Sequence, residues 1–297
     1  MMHKETTSIF NDLLKFRDKY KGQYIVLKYG GALAADDQTV KNIGRQAAFL
    51  NRAIGAKVII VHGGGEQAST AIKDAGIEPK FHPVTRKRIT DEKTLDIFDK
   101  TVRQLNKDNV GVMQSVSDEV VFQGMAGYDL DTVTASPEDD FTGQVEQVNN
   151  GYLMHIGDHI IPVFYTACRN LSPVNGESRL NVNADDFAAA VGVSVNAMRL
   201  VLLSDIDGVM DQQGKRLTGL STNDIDAVID NGTVTGGMVP KLQNARKCAE
   251  QLTSGGVVIL NGAKDNIVLQ EILYEKGAGT LIRSAERIKA TMSLEVK

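Results

Sequence analysis

Apolar residues in this chain come in short blocks separated by helical stripes. The run YIVLK at 24–28 is β-branched and apolar, and it lies between Gly22 and the Gly30-Gly31 pair. That predicts a buried strand entering a loop. Val40, Ile43, Ala47, Leu50 and Ile54 then step by three or four residues, as on one face of a helix. A second apolar block, Val58, Ile59, Ile60 and Val61, runs into His62-Gly63-Gly64-Gly65. Two near-continuous apolar strands around an amphipathic helix predict a βαβ crossover, hence a parallel sheet covered by helices on both faces. Ahead of it, Ile9, Leu13, Leu14 and Phe16 recur at roughly helical spacing and predict an amphipathic helix over 8–20, ending by Gly22.

The middle of the chain carries a weaker pattern. Thr90 followed by Asp91 and Glu92 predicts a helix start with Thr90 as N-cap, and Leu95, Phe98, Val102 and Leu105 form its stripe. From about Asn109 to Val148 the Gly, Asp and Ser content rises and alternation is weak, which predicts short antiparallel strands. The block at 160–164 restores a buried strand, and a polar stretch follows it. Strand and helix signals then resume: an Ala-rich helix after NVNAD closed by Gly192, a strand at 199–203, a Gly- and Thr-rich loop at 233–238, a helix with Pro240 in its first turn, and a strand at 257–260. A last helix and the strand GTLI complete the pattern. No internal repeat, low-complexity tract or linker interrupts it. The expected architecture is therefore α/β, a three-layer αβα sandwich around a mainly parallel open sheet, with two lobes over one continuous sheet.

Composition narrows the function classes. At 297 residues, 42% hydrophobic and 24% charged, the chain can bury a sizeable core and is neither disordered nor fibrous. With 33 Lys plus Arg against 37 Asp plus Glu, the formal charge is −4, so no basic footprint for nucleic acid is expected. The two cysteines, Cys168 and Cys248, lie far apart with no His or Cys at metal-ligand spacing, which suggests neither a disulfide framework nor a metal site. The opening MMHKETTSIF lacks the apolar stretch of a signal peptide, and no apolar run is long enough to span a bilayer. A soluble, cytoplasmic protein is the expectation.

Candidate chemistry gathers where glycines follow strands: Gly30-Gly31, Gly63-Gly64-Gly65 and, after a longer gap, Gly236-Gly237. In an open parallel sheet these loops border the ligand crevice, and glycines let backbone N–H groups approach an anion. Tight turns alone would explain one such loop, less readily three. Neither the Walker pattern nor GxGxxG occurs. Lys28, at the end of an apolar strand, must place its ammonium somewhere polar, either over an anion at the Gly30-Gly31 loop or in solvent. Lys241 follows Pro240 in a first helical turn, where a cation opposes the helix dipole. An anion at that terminus would offset the cost, although a solvated surface lysine is the plain alternative. Asp185 suits its own first turn for helix reasons, or it holds both lysines by charge pairing. His62 is read as a structural imidazole bonding its loop, and Met198, Met210 and Met238 as core or nucleotide-pocket packing.

In this order, VLKYGG around Lys28, VHGGG at 61–65, RITD at 88–91, NVNAD at 181–185, LLSDIDGV at 202–209, GGMVPK at 236–241 and GAGTLI near the end resemble the acetylglutamate kinase family of the amino-acid kinase superfamily. The resemblance covers nearly the whole chain. It implies ATP-dependent phosphorylation of the side-chain carboxylate of N-acetyl-L-glutamate, with Mg²⁺ carried on the nucleotide. It also implies roles. Lys28 and Lys241 would neutralise the transferring phosphoryl group and Asp185 would orient them. Gly30, Gly31 and Gly63 would belong to the phosphate loops, with Gly64 and Gly65 contacting substrate. Arg88 would clamp a substrate carboxylate, and Asn181 would hold the acetamido or carboxylate end. Asp205, Ile206, Asp207, Gly208, Val209, Met210, Thr233, Val234 and Thr235 would line the nucleotide. Residues 23–180 would form a substrate-binding and dimerisation lobe, and 181–297 a nucleotide-binding lobe.

The chain departs from the family pattern at identifiable places. It reads HPVTRKRITD where the family usually reads NGLRVTD, so Arg86 competes with Arg88 for the clamp, and the usual Thr and Gly after NAD are Asp186 and Phe187. A kinase for acetylated 2-aminoadipate or glutamate would use the same lysines, and a non-catalytic sensor would keep the pockets without needing both lysines. The extension at 1–22 resembles the helix that accompanies arginine-inhibited hexamers, trimers of dimers, in the family. Its stripe Ile9, Leu13 and Phe16 would pair with another subunit or dock on its own core. Glu271 and Gly277 match positions that hold an arginine effector, while Phe16 stands where sensitive members usually carry Tyr.

Overall fold

The computed structural model describes residues 2–174, 176–274 and 276–287. The expected segment ends at residue 1 and at 288–297 lie outside the described residues. The first helix, α1, spans Met2–Tyr20. The βαβ unit that the pattern predicts is present as β1 (Tyr24–Tyr29), α2 (Asp37–Phe49) and β2 (Lys57–His62), with a wide turn at Leu50–Ile54 closing α2. Then come α3 (Gly65–Asp74), a two-residue hairpin of β3 (Lys80–Phe81) and β4 (Arg88–Ile89), α4 (Glu92–Gln114), and strands β5 (Val121–Ala126), β6 (Val133–Asp139) and β7 (Thr142–Val148). Helix α5 (Gly151–His155) leads to β8 (Ile160–Tyr165), β9 (Ala167–Val174) and β10 (Glu177–Val182). The remainder is α6 (Ala184–Ser194), β11 (Arg199–Ser204), β12 (Gly219–Ser221), α7 (Asp224–Asp230), α8 (Met238–Gln251), β13 (Val257–Asn261), α9 (Ile267–Leu273) and β14 (Thr280–Arg283).

Eight strands form one sheet in the order β12-β14-β13-β11-β1-β2-β8-β5. Each neighbouring pair is parallel except β13–β14. The continuous apolar strands divide by parity into two cores, because alternate side chains leave opposite faces. Val26, Ile59, Val61, Leu200, Leu202 and Ile259 pack with Phe187 and Val191 of α6 and Leu242 of α8. Ile25, Leu27, Ile60, Val201, Leu203 and Val258 pack with Val40 and Ile43 of α2 and Val268 of α9. The sheet therefore lies between two helical layers.

Several local expectations are corrected. Asp91, not Thr90, caps α4, its carboxylate accepting from Thr94 N at 2.8 Å; Thr90 is buried and turned toward Thr142. Helix α4 continues through Asn109 to Gln114, where short strands were expected, and β5 is a parallel edge of the main sheet. Only β6–β7 is the expected antiparallel pair. The polar stretch after β8 folds as β9 and β10, which close with β6 and β7 into a four-stranded barrel. Gly192 lies inside α6, where a side chain would reach Val26 and Leu200, and Val195 is the C-cap.

The N-terminal helix docks on its own core. Phe16 is 6% exposed and Tyr20 1%, both in the α2/α9 layer, whereas Leu14 is exposed at 56%. For Phe16 the structure takes the second of the two placements open to the stripe, docking on the chain's own core rather than on another subunit. The side chain of Ile9 lies outside the described residues.

Candidate active site

Where β1 and β2 end, their loops press together. A Cβ at Gly30 would lie 3.4 Å from the Gly63 Cα, and one at Gly63 would lie 3.5 Å from the Ala184 Cβ at the start of α6. Two strand ends and one helix N-terminus thus meet at a single point, in ordinary van der Waals contact. Asn183 caps that helix, its side-chain oxygen accepting from Asp185 N at 2.8 Å and Asp186 N at 3.3 Å. Asp185, two residues after the cap, faces the strand ends, and Lys28 Nζ lies 2.8 Å from its Oδ1. Lys28 is the penultimate residue of β1, its side chain only 14% exposed.

Lys241 reaches the same region from the first turns of α8 and donates to Ser204 Oγ at 3.0 Å; Ser204 in turn donates to Asp205 Oδ1 at 3.1 Å. Burial alone would raise the Asp185 carboxyl, but the adjacent Lys28 ammonium and the field of Lys241 hold it below its ordinary value. Burial lowers Lys241, and Lys28 adds to that, while Asp185 opposes it; the net direction is down. A carboxylate between two cations, at the carboxyl ends of parallel strands, is a charge arrangement suited to a bound polyanion.

Beyond Asp205 opens a cavity of about 440 Å³ lined by residues 205–210 and 233–235, together with Met238 and Asn261. All nine positions expected around the nucleotide are thus gathered in one place. Gly208 adopts φ +127°, and a side chain there would meet Thr280 Oγ1 at 2.6 Å, so only glycine fits that turn. Asp207 accepts from Lys264 Nζ at 2.7 Å and Asn261 Nδ2 at 2.8 Å at the cavity edge. Met238, read from the sequence as core or nucleotide-pocket packing, lines this cavity, whereas sequence reasoning missed Asn261, Lys264 and Ser204. Ser204 and Asn261 each end an apolar strand beside this cavity, a position that could have marked them.

A second cluster lies in the barrel half. Arg88 on β4 is 7% exposed and stacks on Phe81, with its centre 4.8 Å from the ring. Its Nη2 donates to Gly65 O and Ser69 Oγ, both at 2.7 Å, while the buried Nη1 has no partner. Thr142 Oγ1 donates to Arg88 O at 2.5 Å, and Asn181 Nδ2 donates to Thr90 Oγ1 at 3.0 Å, so Arg88 and Asn181 share one cluster. Beside them is a cavity of about 200 Å³ bordered by His82, Thr85, Lys87, Arg88, Glu138 and Thr142 among others. Arg86 is exposed and left-handed (φ +59°), at the hairpin tip, which separates it from the buried Arg88.

The glycine loops differ among themselves. Gly65 faces open space, whereas Gly64 packs on α4, where a Cβ would meet Val102 at 2.9 Å. Gly31 takes φ +60° beside Glu66. His62 is fully buried, with Nδ1 2.8 Å from Gly63 O and Nε2 2.9 Å from Asn106 Nδ2, which also donates to Val163 O. Nε2 must therefore accept, and burial pushes the imidazole down to about 4, so it is neutral and structural. Apart from these sites, Glu271 Oε2 accepts from the N–H groups of Ala278 at 2.6 Å and Gly279 at 3.0 Å, beneath Gly277. Among the described residues no group of three or more His, Cys, Asp or Glu could hold a metal ion, and no helix is long and apolar enough to cross a membrane.

Residues 23–261 match the Amino acid kinase family. An acetylglutamate kinase from Bradyrhizobium diazoefficiens is 34% identical over 92% of this chain and 96% of its own, and one from Sinorhizobium fredii is 34% identical over 91% and 94%. Among solved structures, N-acetylglutamate synthase from Neisseria gonorrhoeae complexed with coenzyme A and N-acetyl-glutamate superposes with a TM-score of 0.79 at 20% identity. That match covers 94% of this chain but 63% of the synthase, so the chain spans under two thirds of that protein. A carbamate kinase from Giardia superposes with a TM-score of 0.64 at 14% identity, over 89% of this chain and 99% of that one. These two share the fold.

Proposed function

The chain belongs to the amino acid kinase family, in its acetylglutamate kinase branch, and from that premise we propose how its residues phosphorylate N-acetyl-L-glutamate with ATP. The reaction is the arginine-biosynthesis step that makes N-acetyl-L-glutamyl 5-phosphate. The observation that carries the mechanism is Asp185 paired with Lys28 in the field of Lys241, one hydrogen-bond chain away from the Asp205 cavity. In this reading residues 23–180 bind substrate and 181–297 bind the nucleotide, and the phosphoryl group crosses between them at the lysines. The acceptor is a carboxylate already ionised at neutral pH, so no general base is needed. Repulsion between two anions is the obstacle. Phosphoryl transfer through a loose transition state is catalysed mostly by positioning and positive charge, which Lys28 and Lys241 supply, with Asp185 holding them and backbone N–H groups of the Gly30, Gly31 and Gly63 loops alongside. Mg²⁺ carried on the ATP would screen its phosphates.

Arg88 binds the substrate α-carboxylate through the unpartnered Nη1, with Gly64, Gly65 and Asn181 around the rest of the molecule. The test is an ADP-coupled assay with N-acetylglutamate, glutamate and acetylated 2-aminoadipate, run on wild type and Arg88→Lys. N-acetylglutamate is expected as the preferred acceptor. Losing the fork should raise its KM about tenfold or more while leaving that for ATP near wild type. Preference for another acceptor would overturn the substrate assignment, and an unmoved KM would overturn the clamp.

A cytoplasmic setting, supported by two buried free cysteines, completes this reading. So does regulation. Glu271 and Gly277 lie in contact, close enough to α1 for the Glu271 charge to act on Tyr20, which supports an arginine effector site joined to the N-terminal helix in a trimer of dimers. Glu271 Oε2 is occupied by the 277–279 loop, so the effector guanidinium would use the remaining oxygen. Millimolar arginine is expected to raise the KM for N-acetylglutamate, with a hexamer in light scattering. A dimer whose activity arginine leaves unmoved would refute it.

A further inference from the structure

Two charged residues outside the catalytic set touch each other: Lys87, next to Arg88 on the β3–β4 hairpin, and Asp186, next to Asp185 in the first turn of α6. Lys87 Nζ lies 3.0 Å from Asp186 Oδ2 and 2.7 Å from Glu138 Oε2. The lysine thus ties the tip of the β3–β4 hairpin to the end of β6 and to the first turn of α6. The lysine side chain is 18% exposed; burial would lower its ammonium, but the two carboxylates outweigh that and hold it above its ordinary value.

Beyond the contacts of Arg88 itself, that hairpin has little of its own to hold it. It consists of two residues on each strand, β3 is exposed on both of its residues, and a two-stranded ribbon alone is marginal in water. Yet it carries Arg88. On the other side of the link, α6 presents consecutive acids to two different partners: Asp185 holds Lys28, and Asp186 holds Lys87. Asn244 Nδ2 donates to Asp186 Oδ1 at 3.1 Å from α8, the helix that carries Lys241. One helical turn therefore connects the strand end bearing Lys28, the helix bearing Lys241 and the hairpin bearing Arg88.

We propose that Lys87 is a positioning residue, whose ion pair with Asp186 fixes the Arg88 hairpin relative to the lysine pair and so sets the affinity for the carboxylate substrate. The inference rests on the acetylglutamate kinase reading. It acts on binding in ground and transition states alike, so its signature is a KM effect confined to one substrate. Glu138 contributes the second contact, and a lysine with two carboxylates gives the tether a coupling larger than that of an exposed pair.

The experiment is a double-mutant cycle with Lys87→Met, Asp186→Asn and the double variant, each checked for wild-type circular dichroism and assayed for both substrates. Each single change is expected to raise the KM for N-acetylglutamate about five- to tenfold, with kcat and the KM for ATP within about twofold of wild type. The double variant should be no worse than the worse single one, and Lys87→Arg should restore most of the affinity. A KM unmoved in Lys87→Met, in an otherwise active enzyme, overturns the proposal. So does a rise in Lys87→Met with none in Asp186→Asn, because the lysine would then act on substrate directly. If Lys87→Met fails to fold, Asp186→Asn and Lys87→Arg decide by the same criterion. A wild type inactive on N-acetylglutamate overturns the functional reading, and this inference with it.

Discussion

Replacing Lys28 or Lys241 with Ala is expected to reduce kcat by about 10²-fold or more, because each removes positive charge from the transferring phosphoryl group at the step where that charge develops. Neither lysine belongs to the two apolar cores: Lys28 lies at the end of β1 and Lys241 at the start of α8. Lys28→Ala leaves Asp185 within the field of Lys241, and Lys241→Ala leaves it paired with Lys28, so neither variant strands a carboxylate without a counter-charge. Thermal melts should therefore stay close to wild type while turnover collapses. The two losses should not add, since the lysines act on one group through one shared carboxylate. Steady-state kcat with saturating ATP and N-acetylglutamate reads this directly. Near-wild-type turnover in either variant would end the lysine-pair mechanism.

Much of the sheet was legible because continuous apolar runs such as YIVLK are buried on both faces, and few other structures accommodate them. The strand end before Gly30-Gly31 singled out Lys28, and the helix start after Gly236-Gly237 singled out Lys241, without any contact information. The barrel was not legible. Strands β9 and β10 face a small closed barrel, and their sequences, ACRNLSPV and ESRLNV, carry as many polar as apolar residues. Local pattern cannot announce partners drawn from β6 and β7 some thirty to forty residues away. The Thr90 assignment failed for a related reason. Thr90 and Asp91 are both good caps, and what decided between them was the hydrogen bond from Thr142, which draws the threonine into the barrel side.

The site shows the same division. Lys28, Asp185 and Lys241 are separated by more than 150 residues along the chain at one step and about 55 at the next, yet strand-end and helix-start signals brought each forward. Ser204 and Asn261 carried the same strand-end signal and were passed over, whereas the Lys87–Asp186–Glu138 tether was invisible because its meaning is a contact. Lys87 in particular sits in the basic run Arg86-Lys87-Arg88, which reads as one solvated patch. The fold separates its members: Arg86 at an exposed left-handed tip, Arg88 buried against Phe81 and Gly65, and Lys87 bridging two acids.

The role of Asp185 can be isolated from its size, since Asn keeps its shape and hydrogen-bonding reach but not its charge. In wild type, Lys241 already lies below its ordinary value because burial disfavours the ammonium and Lys28 repels it, with Asp185 opposing both. Asp185→Asn removes only that opposing influence. The Lys241 proton should then be lost at lower pH, and the alkaline limb of the kcat profile should move toward neutrality. The carboxyl of Asp185 lies below its ordinary value in wild type, so it is ionised throughout the neutral range and its removal should leave the profile unaltered on the acid side near pH 6. At pH 7.5 we expect kcat to fall by about 10- to 100-fold, with partial recovery as the pH is lowered and the fully protonated lysine returns. An aspartate whose only task was to favour the first turn of α6 would give a different result: lower melting temperature, an unshifted profile and kcat near wild type. Measuring kcat from pH 6 to 9.5 on both proteins separates the two, and an unmoved alkaline limb would show that Asp185 does not hold the charge of the lysine pair.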